Sequence, residues 1–282
     1  MTGSRTVPSE SDAVLAVESL SVEFGRRDGL WSWRRRSAPV RAVDDITIDV
    51  HRHETLALVG ESGSGKTTLG RVLVGLQRPT AGSIRLDGRD LSEVLRRDRV
   101  RTRRALQIIF QDPTGSLTPW LRIGDAIAEP LLVHGLVPDR AAARRRVAEL
   151  LEMVGLRPEH ARRYPREFSG GQRQRVAIAR ALALDPEVIV CDEITSGLDA
   201  SIRARIVNLL TDLRRQRRLT YVFITHDLHV ARTVSDRIAV MSGGRVVELG
   251  PADQVFDRPN HPYTQRLLRA QPTLPPHRAA SA

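Results

Sequence analysis

Apolar and polar residues alternate over Val14–Leu20, and again at Ile46, Ile48 and Val50, which is the period of half-buried strands. Thr55–Val59 is a short apolar run that leads directly into a glycine-rich stretch. Beyond that stretch Leu69, Val72, Leu73 and Leu76 have helical spacing. Pro79–Gly82 breaks the chain, and Ser83–Leu86 reads as a strand ending in a turn at Asp87-Gly88. Leu106–Phe110 is another apolar run. From Thr114 to Tyr164 the character changes. Ile123, Ile127 and Leu131, then Val147, Leu150, Leu151 and Val154, repeat at helical intervals, so this part reads as a helical insertion. Alternation of strand and helix then resumes. Gln172–Leu184 and Ile202–Leu213 predict helices, and the continuous apolar runs Val188–Cys191 and Tyr221–Ile224 predict strands covered on both faces. Gly243-Gly244 joins Ile238–Met241 to Arg245–Leu249 as a hairpin. Gly25–Pro39 reads as a loop, and the Pro- and Ala-rich tail from Pro272 as a mobile end. Buried strands alternating with helices imply an α/β fold with a mainly parallel sheet. Ligands of such sheets bind beyond the carboxyl ends of the strands.

Composition changes this picture in three ways. The chain has 282 residues with 41% apolar and 27% charged, enough for a sizeable core and unlike a disordered chain. A single cysteine, Cys191, excludes an internal disulfide and any cysteine-built zinc or iron–sulfur site, so the chain reads as intracellular and Cys191 as a small core residue. No apolar stretch is long enough to span a bilayer, and Met1–Asp12 lack the apolar centre of a signal peptide; if the protein serves a membrane process, other chains must supply the spans.

The net charge is +11, almost all from arginine. The arginines are dispersed in clusters such as Arg96–Arg104, Arg144–Arg146 and Arg214–Arg218, which reads as solvated faces ahead of a nucleic-acid footprint. Lys66 is the only lysine, and it sits in the glycine-rich stretch. A compact ammonium on a flexible stem has a use there that the planar arginine fork does not share.

That stretch, Gly60-Glu61-Ser62-Gly63-Ser64-Gly65-Lys66-Thr67-Thr68, has the P-loop pattern between a strand and a helix. Its glycines let backbone N–H groups crowd around phosphates at a helix start. Lys66 would reach the β- and γ-phosphates of ATP, and Thr67 would coordinate Mg²⁺. Val188–Cys191 ends in Asp192-Glu193, placing two carboxylates at the sheet edge. Asp192 would hold Mg²⁺ through its water shell, and Glu193 would orient a water for attack on the γ-phosphorus. His226-x-x-His229 has a metal-like spacing but no evident third ligand.

Ser169-Gly170-Gly171-Gln172 opens a helix upstream of Asp192. Taken alone it is an ordinary serine cap with two glycines. With the P-loop and Asp192-Glu193 it resembles the signature of ATP-binding subunits of ABC transporters. Further similarities follow in order: Gln111 resembles the Q-loop glutamine, Ser196-Gly197-Leu198-Asp199 the D-loop, and His226 the switch histidine. Phe24 resembles the aromatic that stacks on adenine, with Trp31 and Trp33 as alternatives. The resemblance covers about Val14 to Ala270. It narrows to the oligopeptide/dipeptide importer subclass through Phe110-Gln111-Asp112-Pro113 with Ser116-Leu117, Tyr164-Pro165, Phe168 to Arg175, and His261-Pro262-Tyr263-Thr264. Within that subclass it is similar to the second of the two ATPase subunits. Ile194 stands where the family usually has Pro, Gly197 where it often has Ala, and Trp120 where an Arg is usual.

The resemblance implies a P-loop (RecA-like) ATPase core over 13–257, with an N-terminal antiparallel β part and a helical subdomain inserted at about 114–168. A C-terminal extension would occupy 258–282. It implies ATP and Mg²⁺ as ligands, with Thr67, Gln111 and Asp192 at the metal and Glu193, His226 and Gln111 in catalysis. Gly60–Thr68, Phe24, Ser169–Gln172 and Asp199 would contact nucleotide, the last two groups across a head-to-tail dimer. The partners implied are two membrane permease subunits, a second ATP-binding subunit that is identical or related, and indirectly an extracytoplasmic solute-binding protein, with no nucleic acid. The place implied is the cytoplasmic face of the cell membrane, as a peripheral subunit. The solute (peptide, glutathione or nickel) is left open. The competing function is a soluble ABC-type ATPase acting on nucleic acid or ribosomes.

Overall fold

The computed structural model describes residues 13–25, 39–112, 115 and 117–270. Trp31 and Trp33, Pro113 and Ser116, and the tail from Pro272 lie outside the described residues.

Two sheets organise the chain. The first is antiparallel and four-stranded, in the order β2 (Val40–His51), β1 (Ala13–Phe24), β4 (Ala81–Leu86), β5 (Arg89–Asp90). The alternation read at Val14–Leu20 and Ile46–Val50 is its pleat. Val14, Leu15, Val17, Ile46, Ile48 and Val50 are all buried, although bulges shift the β1–β2 register between Val17 and Glu23.

The second sheet has six strands in the order β10 (Arg245–Pro251), β9 (Arg237–Ser242), β3 (Thr55–Val59), β8 (Thr220–Thr225), β7 (Val188–Asp192), β6 (Leu106–Ile109). Only the β9–β10 pair is antiparallel. Every residue of β3, β7 and β8 is buried, as a sheet packed on both faces requires. Alternate side chains serve different cores. Ile189, Cys191, Tyr221 and Phe223 pack toward the helical insertion, whereas Val188, Val190, Val222 and Ile224 pack toward the antiparallel sheet and α1 (Lys66–Leu73).

Helix α1 stops before Leu76, which the spacing had included. Gly75 takes φ +69°, its N–H bonds Val72 O, and Leu76 N–H bonds Arg71 O. This pair of bonds in a left-handed glycine closes the helix and leaves Leu76 half exposed. Two short helices follow β5 that the periodicity did not reveal, α2 (Leu91–Arg97) and α3 (Arg99–Ala105), started by Asp90 and Asp98 side chains.

Between β6 and β7 the chain is helical wherever it has regular structure among the described residues. Here lie α4 (Ile123–Val133), α5 (Arg140–Met153), two 3₁₀ turns at Pro158–Arg162 and Pro165–Glu167, and α6 (Gly170–Leu182). Ile123, Ile127, Leu131, Val147, Leu150 and Leu151 form the buried face that the spacing predicts. The remaining helices are α7 (Ala200–Arg217), α8 (Leu228–Val234), α9 (Ala252–Asp257) and α10 (Pro262–Arg269). The last three escaped the sequence reading because none is longer than 8 residues. Among the described residues no helix is long and apolar enough to cross a membrane.

Ile127 is fully buried and Trp120 is 79% exposed. Ile127→Ala should therefore cost about 2–5 kcal/mol in urea unfolding, and Trp120→Ala less than about 0.5 kcal/mol.

Candidate functional site

The parallel pairing decides which loops meet. Val59 lies opposite Thr225, Asp192 opposite Ile224, and Ile109 opposite Cys191. Strands β3, β6, β7 and β8 thus end together, and the next residues are Gly60, Phe110-Gln111, Glu193 and His226.

The glycine-rich loop is wedged between the two sheets. A Cβ on Gly60 would stand 2.2 Å from Met241 O of β9, and one on Gly65 2.1 Å from Ala42 O of β2. Both glycines also hold φ in the region that L side chains avoid, +150° and +101°. Gly244 of the hairpin props the loop, since its N–H bonds Ser64 O at 3.2 Å while Asp44 N–H bonds Gly244 O at 2.9 Å. Helix α1 then starts at Lys66 without a side-chain cap. Its first-turn N–H groups have no partner within the helix and point to the mouth of the loop.

The Lys66 ammonium is buried and donates to Gly60 O at 2.8 Å, Glu61 O at 2.7 Å and Ser64 Oγ at 3.3 Å. Burial lowers its pKa, opposed by the charges of Glu193, Asp192 and Glu61. Thr67 Oγ1 donates to Asp192 Oδ1 at 2.9 Å. Burial lifts the Asp192 carboxyl above its ordinary value, against the pull of the Thr67 hydroxyl, and the neighbouring Glu193 charge adds to the rise.

Glu193 sits at φ +49°, a strained backbone for a side-chain-bearing residue. The strain is held by Glu193 N–H on Ile224 O (3.0 Å) and by Ser196 N–H and Oγ on Glu193 O (3.0 and 2.9 Å). Its carboxylate Oε2 is 3.3 Å from His226 Nδ1. Gln111 Nε2 donates to Ser196 Oγ at 3.1 Å. Gln111, Ser196, Glu193 and His226 therefore form one polar chain across three strand ends. Ser196 is the member that sequence reasoning had noted only within a motif.

The other expected site residues lie elsewhere in the chain's own bonding. Ser169 caps α6 in a reciprocal box with Gln172: Gln172 N–H bonds Ser169 Oγ at 3.3 Å, and Ser169 N–H bonds Gln172 Oε1 at 3.0 Å. Among the described residues, no hydrogen bond joins 169–172 to 60–68. A Cβ on Gly171 would be 2.4 Å from Ile202 Cγ2, so that glycine packs against α7. Asp199 caps α7 on Ile202 N–H at 2.9 Å. Phe24 ends β1 opposite Val40 and is half exposed. Ile194 is core, and Gly197 takes φ +71°, where glycine is unstrained.

The sequence profile of ABC transporters matches residues 43–196, more than half of the chain. The chain belongs to the ABC transporter family. A second profile, of the C-terminal region of oligopeptide/dipeptide transporters, matches residues 247–281. The glutathione import ATP-binding protein GsiA of Escherichia coli is 51% identical over 269 residues, covering 95% of this chain and 43% of that protein. GsiA of Pectobacterium atrosepticum is 49% identical over 273 residues, covering 97% and 43%. The chain thus spans 43% of the length of these curated relatives. Among solved structures, CbiO1 from Clostridium perfringens, part of the ABC transporter complex CbiONQ, superposes with a TM-score of 0.74 at 29% identity, covering 88% of this chain and 92% of its own. The ATP-binding cassette MJ0796, seen as a dimer bound to ADP and Pi, gives 0.73 at 28% identity, covering 84% and 98%. The α/β class and the antiparallel N-terminal sheet read from the sequence agree with these cassettes.

The arrangement fits a triphosphate and a small hard cation. It offers uncapped helix N–H groups, a fixed ammonium, and a hydroxyl beside a carboxylate. The raised Asp192 value has a consequence for stability. A carboxyl whose folded-state pKa is raised loses stability as pH climbs from its unfolded to its folded value. Asp192→Asn keeps the acceptor for Thr67 and removes that loss. Its melting temperature without nucleotide should exceed wild type at about pH 7.5. The gain should vanish as pH falls below the ordinary carboxylate value, read by differential scanning calorimetry.

Proposed function

We propose that this chain is the ATP-hydrolysing, energy-coupling subunit of an importer for peptides or related small solutes. The observation that supports it best is the meeting, at one sheet edge, of the Lys66 ammonium, the Thr67–Asp192 pair and the Glu193–His226 pair. Lys66 and the N–H groups of Gly63 to Thr68 would cradle the phosphates. Thr67, Asp192 and the Gln111 amide oxygen would hold Mg²⁺, which when bound offsets the phosphate charge. Glu193 would orient the attacking water and take up its proton, with His226 beside it at the γ-phosphate. Phe24 would stack on adenine.

Ser169–Gln172 would serve a second chain. Their helix start carries N–H groups suited to a γ-phosphate, and their bonds within this chain do not run to its own P-loop. A head-to-tail dimer with the Ser169 helix and Asp199 facing the partner's nucleotide answers both facts, and the dimeric cassette at 28% identity supports it. ATP then joins the two chains, and hydrolysis removes the bridging charge and releases them, a ligand-ordered two-state switch. The helical part at about 114–168 would contact two permease subunits on the cytoplasmic face of the membrane, with Gln111 linking their movement to the site. The 258–282 segment would be the extension of the peptide-importer subclass. Glutathione is the solute named for the relatives at about half identity, and peptides are named for the C-terminal profile. A solute-binding protein and the permeases would choose between them. The relatives are named as import proteins, so the nucleic-acid alternative is not carried forward.

Lys66→Ala should weaken ATP binding by about two orders of magnitude in calorimetry, since charge-assisted bonds are worth about 1.5–3 kcal/mol each. Unchanged affinity would refute the P-loop reading. Glu193→Gln should keep ATP affinity, cut turnover by about 10²–10⁴ and accumulate an ATP-bound dimer in size-exclusion chromatography. Undiminished hydrolysis would remove Glu193 from the mechanism.

A further inference from the structure

The last described helix reaches the P-loop through a hydrogen bond. Tyr263, at the start of α10, is buried, and its Oη accepts the Glu61 N–H at 3.2 Å. That N–H belongs to the same peptide unit as Gly60 C=O, which accepts from Lys66 Nζ at 2.8 Å. One planar amide is thus bonded at both ends, to the phenol through its N–H and to the lysine through its oxygen. The next carbonyl, Glu61 O, also accepts from Lys66, at 2.7 Å. A peptide unit cannot turn one end without the other. Gly60 on its own could rotate, because a glycine at φ +150° has no side chain to hold it. The phenol supplies a restraint that the glycine lacks.

Tyr263 is itself firmly placed. Its ring lies in the apolar cluster of Ala57, Val59, Ile238, Val240 and Val255. His261 Nδ1 accepts the Tyr263 N–H at 3.2 Å. Glu248 on β10 accepts the N–H groups of Asn260 (2.8 Å) and His261 (3.1 Å) and so ties the helix start to the sheet.

We propose that Tyr263 is a positioning residue for the P-loop lysine: its hydroxyl fixes the 60–61 peptide so that the Gly60 carbonyl faces Lys66, and the C-terminal extension thereby sets nucleotide affinity. This rests on the reading of Lys66 as the phosphate-binding cation. His-Pro-Tyr-Thr, read from the sequence as a mark of the importer subclass, then has a task inside the ATP site. The extension acts through the orientation of one amide.

The test uses the full chain and two variants. Tyr263→Phe keeps the ring and removes only the acceptor. Val255→Ala trims the same apolar cluster without touching the loop. ATP and ADP affinity are measured by calorimetry, turnover by phosphate release, and Glu61 amide exchange by NMR. Tyr263→Phe should weaken both nucleotides about 3- to 10-fold, as loss of one hydrogen bond does. It should raise KM with kcat within about twofold, because bound phosphate restores the lysine geometry. The Glu61 amide should exchange faster. Val255→Ala should lower the melting temperature and leave KM unchanged. Wild-type affinity and unaltered Glu61 exchange in Tyr263→Phe would overturn the proposal. So would an equal rise of KM in Val255→Ala, since the effect would then be general loosening. A wild-type chain that binds ATP no better than Lys66→Ala would overturn the P-loop reading itself, and this proposal with it.

Discussion

A buried ammonium has to be surrounded by oxygen, and this requirement shapes the centre of the molecule. Lys66 is nearly closed to solvent, and taking a charge out of water is costly unless fixed acceptors replace it. Here the acceptors are two consecutive peptide carbonyls and a serine hydroxyl within the same loop. Gly60 carries its carbonyl inward at φ +150°, and Gly65 turns the chain into α1 at φ +101°, both backbones that side chains oppose. The loop therefore needs glycine at 60 and 65, and it needs neighbours close enough to hold those glycines still. Met241 O, Ala42 O, Gly244 N–H and the Tyr263 hydroxyl are those neighbours, drawn from both sheets and from the last described helix.

The same economy of position governs the acidic side. Parallel strands of matched register end in one plane, so the residues after β3, β6, β7 and β8 become neighbours although they are far apart in sequence. Glu193 leaves that plane through a left-handed backbone, which costs of order 1–3 kcal/mol. Three hydrogen bonds from β8 and Ser196 hold it. The polar chain from Gln111 through Ser196 to Glu193 and His226 gives the helical part between β6 and β7 a route of contact with the strand ends.

Much of this was legible from the residues. The strands β3, β7 and β8 were visible as apolar runs because a sheet covered on both faces leaves no polar position to interrupt them. The glycine-rich motif was visible as a loop, since its pattern is itself a backbone geometry. Leu76 misled because spacing alone does not register a left-handed Gly75. Helices α2, α3, α8, α9 and α10 were too short to show a period, although side-chain caps at Asp90, Asp98, Asp227 and His261 start all of them but α9.

The chain's own order of residues settled its α/β class, its loop of amides and its pair of carboxylates, because each depends on local pattern: buried runs, glycine spacing, and acid after a strand. Tertiary packing alone decided that Tyr263 would hold the 60–61 peptide and that Met241 and Ala42 would forbid side chains in the loop. Those contacts join residues remote in sequence. They come from how sheets and helices stack, and stacking leaves no periodic trace along the chain.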